Sequence, residues 1–171
     1  LFDPTETMHV VRLNLGMLTR VGISVEAPEF PIEPVASALA GQIRERTGGR
    51  YALLNPGAGW PNKRWPAARF AALAAVLHER YGLASVVSWG PGEEGLAREV
   101  EAAANEGACA ADRMGQGMVL VPSAVSVADL VALARGAAIM VGGDTGPTHI
   151  AAAVGTPVVG IYGPTRPART G

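Results

Sequence analysis

The chain has 171 residues, 49% of them hydrophobic and 17% charged, which excludes a disordered polypeptide and allows one substantial core, or one core plus a fragment of another domain. A formal net charge of -1 gives no global attraction to nucleic acid or anionic lipid, and the single cysteine, Cys109, excludes an internal disulfide and a cysteine-based metal cluster. With no run of about 18 apolar residues and no basic-then-apolar leader, the chain reads as soluble and not secreted; beginning at Leu1, it is expected to be a piece of something longer.

Residues 1–24 do not share the pattern of the rest. His9-Val10-Val11 reads as a short extended piece, and Asn14 to Val21 as a helix that Gly22 ends. Glu26 to Pro34 carries three prolines in nine residues, the composition of a linker. Val35 to Arg46 has helical periodicity through Val35, Leu39 and Ile43, closed by Gly48-Gly49, so residues 25–49 read as linker and helix. From residue 50 to 171 the pattern is regular. Tyr51 to Asn55 is a predicted strand entering the turn Pro56-Gly57-Ala58-Gly59. A helix opens at Pro66, placed at a first helical position, carries Phe70, Leu73, Ala74 and Leu77 on one side, and stops at Gly82. Ser85 to Trp89 is the next strand, Gly90-Pro91-Gly92 a turn, and Glu93 to Asn105 a helix. A short strand at Met118 to Val121 ends at Pro122. Ser126 then caps a helix with Leu130, Leu133 and Ala134. Ala138 to Gly142 and Pro157 to Ile161 are the last strands, flanking a small-residue helix at Ile150 to Val154.

Strands alternating with helices over residues 51–161 mean βαβ crossovers: an α/β fold, a Rossmann-like parallel sheet with helices on both faces. Ligands in such a sheet bind beyond the carboxyl ends of its strands, where the order reverses. The loops after Asn55, Trp89 and Gly142 all belong to that edge.

The first loop combines the small residues Gly57, Ala58 and Gly59, which admit a ligand to the backbone, with Lys63-Arg64 just before a helix. Cations normally avoid a helix start, so an anion between them and the helix N–H groups is one reading; a solvated turn is the other. In the second loop Glu93 and Glu94 stand at a helix start, where either could cap the helix or accept from a sugar hydroxyl. The third loop, Gly143-Asp144-Thr145-Gly146-Pro147-Thr148-His149, carries the strongest signal. A strand entering a glycine-rich turn that opens a helix presents free N–H groups to phosphate, and here an acid, two hydroxyls and an imidazole share the turn. Thr145 and His149, four residues apart, fall on one helical face; a plain helix cap for Asp144 and a packing role for His149 are the other readings. Gly163 and Thr165, in a fourth loop, could complete a phosphate cradle; the chain simply leaving the domain is the other reading. No two-histidine metal motif occurs, and the P-loop ending is absent.

Together Asn55-Pro56-Gly57-Ala58, Lys63-Arg64-Trp65-Pro66, Gly143 to His149 and Tyr162-Gly163-Pro164-Thr165 resemble the C-terminal half of the lipopolysaccharide heptosyltransferases, glycosyltransferase family 9 of Gram-negative bacteria. The resemblance covers about residues 50–166. His9 to Asn14 is similar to the segment where that family's N-terminal domain passes into its linker. The resemblance implies a GT-B architecture, with this chain as its donor-binding half, truncated at both ends, and residues 1–24 as a remnant of the N-terminal domain and the start of the interdomain linker. It further implies ADP-L-glycero-D-manno-heptose as donor, the Kdo or heptose portion of the lipopolysaccharide inner core as acceptor, and inversion without a metal or other cofactor. By position, Lys63 would contact donor phosphate and sugar, Glu93 or Glu94 the ribose, and Asp144 would lie near the donor heptose. Thr145, Gly146 and His149 would surround the diphosphate. Lys63 and Asp144 are thus the residues expected to stabilise donor or transition state. The general base would be an aspartate of the N-terminal domain, so this chain alone is expected to be inactive. Residence at the cytoplasmic face of the inner membrane is implied likewise. The stretch Gly59-Trp60-Pro61-Asn62 departs from the hydroxyl-rich loop of the best-known members.

Two rival readings stand beside this one: a GT-B relative using another donor, such as a uridine nucleotide sugar, and a non-catalytic nucleotide-binding module. A dehydrogenase fits less well, because Gly57-Ala58-Gly59 is only part of a dinucleotide fingerprint.

Overall fold

The computed structural model describes residues 9–25, 27–107 and 118–171. Cys109, the expected linker residue Glu26 and residues 1–8 of the expected remnant lie outside them. Among the described residues five strands form one parallel sheet: β1 (Tyr51–Asn55), β2 (Ala84–Val87), β3 (Val119–Leu120), β4 (Ile139–Gly143) and β5 (Val158–Ile161), in the order β3-β2-β1-β4-β5. The helices are α1 (Val10–Leu18), α2 (Ala38–Arg46), α3 (Ala67–Tyr81), α4 (Glu94–Gly107), α5 (Val127–Gly136), α6 (Gly146–Ala153) and α7 (Pro167–Thr170). Single turns of 3-10 helix occupy Thr19–Val21 and Pro61–Lys63.

The alternation of side chains along β1 sorts the core into two layers. Ala52 and Leu54 pack with Phe70, Ala74 and Leu77 of α3 and with Ala97 and Val100 of α4. Tyr51 and Leu53 pack on the other face with Ile43 of α2, Leu130 and Leu133 of α5 and Ala151 of α6. All five β1 residues are buried, as the central strand of a doubly covered sheet must be. The chain therefore leaves β1 toward one face and β4 toward the other. Asn55 and Gly142 are register partners at the ends of these neighbours, so the crevice where the order reverses opens at that pair.

Local signals explain most boundaries. Gly82 closes α3 in the left-handed conformation (φ 63°). Ser126 caps α5 in a capping box with Asp129, and Asp129 also accepts from the Ser37 hydroxyl at 2.6 Å, tying α2 to α5. Three expectations need correction. His9-Val10-Val11 is not extended: α1 starts at Val10 because the His9 ring nitrogen accepts from the Val11 N–H. Val35 lies outside α2, which Ser37 caps by accepting from the Ala40 N–H. Pro66 is the N-cap of α3 rather than its first helical residue. Among the described residues no helix is long and apolar enough to cross a membrane.

Candidate functional site

Asp144 follows β4 directly and is buried, its side chain 6% exposed. Its carboxylate does not cap α6. One oxygen accepts from Lys63 Nζ at 3.0 Å and the other from His149 Nε2 at 3.0 Å. Burial by itself raises the Asp144 pKa. The pull of the Thr165 hydroxyl, then of Lys63 and His149, outweighs that and brings it down to about 2. The Thr165 hydroxyl is buried beside the carboxylate but meets no acceptor with full hydrogen-bond geometry, so its share is a dipole contact rather than a bond. Tyr162, one residue before Gly163, has its pKa raised by burial and by the Asp144 charge.

The 3-10 turn at Pro61–Lys63 delivers Lys63 to this acid, and its amine also reaches the Asp144 carbonyl at 3.4 Å. The sequence paired Lys63 with Arg64 around one anion; the structure separates them. Arg64 Nε donates to the Ala58 carbonyl at 3.0 Å and so braces its own loop. Gly163 backs the Lys63 turn: a β-carbon there would lie 3.5 Å from the Asn62 carbonyl.

Thr145 is the N-cap residue of α6, and no side chain caps that helix. Gly146 is its first residue and His149 stands one turn on, its N–H bonded to the Thr145 carbonyl. The helix N-terminus thus presents backbone donors at the same edge as a lysine. That combination suits a phosphate.

The structure also chooses between the two glutamates. Glu94 is half exposed and pairs with Arg98 on the surface of α4. Glu93 turns inward, accepts from the Gly90 N–H at 3.1 Å, and presses on Gly57. A β-carbon at Gly57 would sit 2.1 Å from Glu93 Oε2, so glycine is required for this contact. Beside Glu93 lies an apolar cleft of about 280 Å³ between the second loop and the starts of α5 and α6, lined by Trp89, Pro91, Val127, Pro147 and Ile150. Its mostly apolar lining suits the nonpolar part of a ligand. The Trp89 indole donates to the Pro122 carbonyl, which holds one wall in place. A larger groove of about 500 Å³ between α2 and α5 lies at the opposite sheet edge, beside Tyr51, Arg44 and Arg135, and contains none of the predicted site residues.

Sequence reasoning missed the residue that joins the loops. Asn55 is 2% exposed, and its amide nitrogen donates to the Gly57 carbonyl at 3.2 Å and to the Thr145 hydroxyl at 3.3 Å. Its oxygen accepts from Ser88 at 3.4 Å. A polar residue ending a strand of four apolar-facing positions was the available signal. In sum, Gly57, Lys63, Glu93, Asp144, Thr145, Gly146, His149, Gly163 and Thr165 come together at one edge; Ala58 is buried behind them and Glu94 points away.

Comparison with known proteins agrees with this geometry. Residues 6–171 match the family model described as "Glycosyltransferase family 9 (heptosyltransferase)". The chain is 29% identical, over 171 aligned positions, to lipopolysaccharide heptosyltransferase 3 of Escherichia coli, covering 95% of this chain and 46% of that protein. It is similar in structure to a family 9 glycosyltransferase of Veillonella parvula, with a TM-score of 0.73 at 23% identity, over 96% of this chain and 47% of the other. It is likewise similar to the E. coli heptosyltransferase WaaC solved with ADP-2-deoxy-2-fluoro heptose, with a TM-score of 0.55 at 28% identity, over 68% and 33%. The chain thus spans about half the length of these relatives or less.

Proposed function

Since the chain belongs to glycosyltransferase family 9, the heptosyltransferases, we propose that its carboxyl-edge site holds the donor ADP-heptose. The protein that contains it transfers the heptose to the lipopolysaccharide inner core, with inversion and without a metal. The observation that carries the reading is the ionised Asp144 bridging Lys63 and His149 beside an uncapped helix N-terminus.

As the bond from sugar to diphosphate breaks, negative charge accumulates on the departing ADP. Lys63 and the α6 N–H groups, fixed in advance, stabilise that charge without reorganising. Glu93 offers a carboxylate to the ribose hydroxyls, and the apolar cleft beside it takes the adenine. Asp144 holds Lys63 and His149 in place and accepts from sugar hydroxyls. With a pKa of about 2 it has too little proton affinity to deprotonate an acceptor hydroxyl. By the family resemblance the base is assigned to a facing domain, with residues 50–171 as the donor half. The lipid-linked acceptor puts the reaction at the cytoplasmic face of the inner membrane, with the enzyme peripheral to it.

Calorimetric titration with ADP, UDP and ADP-heptose tests the reading. ADP-selective binding that ADP-heptose improves is expected. Selectivity for UDP would keep the fold and discard the donor, and no binding of any would leave a module without a nucleotide role.

A further inference from the structure

We propose that Asn55 sets the direction in which the Thr145 hydroxyl points its proton, preparing that hydroxyl to donate to a phosphate oxygen. The inference rests on the donor-binding reading above and adds a positioning residue to it.

The amide of Asn55 is not free to flip. The Gly57 carbonyl 3.2 Å away can only accept, so the amide nitrogen must face it, and Oδ1 then faces the Ser88 hydroxyl. The second proton of the same nitrogen goes to Thr145 Oγ1 at 3.3 Å. Thr145 is therefore an acceptor toward Asn55 and keeps its single proton to give elsewhere. Its other neighbours, the Gly143 carbonyl at 3.5 Å and the Thr148 hydroxyl at 3.4 Å, both stand at the long limit for an O–H donor. An anion at the start of α6 is a stronger acceptor than either. Asn55 is buried and Thr145 half-buried, so water competes poorly for the arrangement. The amide thus acts on the ligand through the hydroxyl, from a strand end that cannot itself reach solvent.

An isosteric exchange reverses this polarity. In Asn55→Asp the nitrogen becomes an oxygen that only accepts, and Thr145 turns its proton inward. The experiment is an ADP titration of the wild type, Asn55→Asp, Thr145→Val and the double variant, with thermal melts to establish folding. Thr145→Val should weaken ADP about tenfold in the wild-type background, the value of a charge-assisted hydrogen bond. In the Asn55→Asp background the same change should cost less than about twofold, because the hydroxyl no longer serves the ligand. A merely structural role for Asn55 would leave the Thr145 effect unchanged, and equal losses in both backgrounds would overturn the proposal. If Asn55→Asp does not fold, Asn55→Ala takes its place: it frees the hydroxyl without reversing it, so the Thr145→Val loss should fall below the wild-type tenfold, and an equal loss would overturn the proposal. A wild type that binds no ADP would instead overturn the nucleotide reading itself, and this inference with it.

Discussion

Replacing Lys63 by methionine removes the cation from Asp144 while keeping most of the side chain's bulk. The lysine is 22% exposed and the aspartate 6%, so the pair lies between the surface and buried extremes. Surface pairs are worth up to about 1 kcal/mol, whereas breaking a buried pair costs about 3–5 kcal/mol. His149 remains as a second partner, so a loss of about 2 kcal/mol at neutral pH is expected. The pH dependence identifies the source. Asp144 has a folded pKa depressed from 3.8 to about 2. Its contribution is therefore present above the unfolded value and lost as pH falls from there through about 2. In Lys63→Met, burial opposes ionisation with fewer opposing groups, and the folded pKa rises. The gap in stability between wild type and variant should thus be widest near neutrality and close toward pH 2. Urea denaturation of both proteins from about pH 7 down to about 2 measures it, the difference cancelling the other carboxylates. A gap that persists unchanged to the lowest pH would refute the assignment, because it would reflect packing rather than charge.

Three further outcomes follow from the same geometry. Glu93→Ala should weaken ADP by about 1.5–3 kcal/mol, the scale of a hydrogen bond to a charged group, while Glu94→Ala leaves affinity unchanged; titration of both decides. In Gly57→Ala the new methyl must displace the flexible Glu93 carboxylate, so melting should move little while ADP affinity falls as in Glu93→Ala. Tyr51→Phe strips a buried hydroxyl that donates to the Leu133 carbonyl at 2.6 Å and whose pKa burial raises to about 12. It should cost about 1–2 kcal/mol in denaturant melts and leave ADP binding untouched, since Tyr51 begins the strand that Asn55 ends.

The parallel sheet was legible because strands buried on both faces read as apolar runs, Leu53-Leu54 and Met140-Val141 among them. Turn chemistry marked α3 and α5 for the same reason: Gly82 and Ser126 have one obvious conformational use each. What escaped was set by contacts far apart in the chain. An imidazole is an uncommon cap, so His9 gave no sign of starting α1. Glu93 and Glu94 are chemically identical, and only the approach of α4 to Gly57 separates them. The third loop announced its residue types, but not that Asp144 would turn from its own helix to Lys63, 81 positions earlier. Arg64 shows the converse: its charge suggested an anion, and a carbonyl six residues back had already claimed it.

The placement of Asn55 at the tip of the central strand has a practical consequence. β1 and β4 lie inside the sheet, so their amide protons are expected to exchange with solvent only when the domain opens as a whole, in contrast to those of frayed ends. A ligand held by loops rooted in those two strands thus resists the same global opening. Its binding energy is transmitted to the entire cooperative unit, as a slower exchange of the innermost amides and a higher melting point that grows with ligand concentration. Nucleotide preference can then be ranked by melting alone, without an acceptor and without turnover.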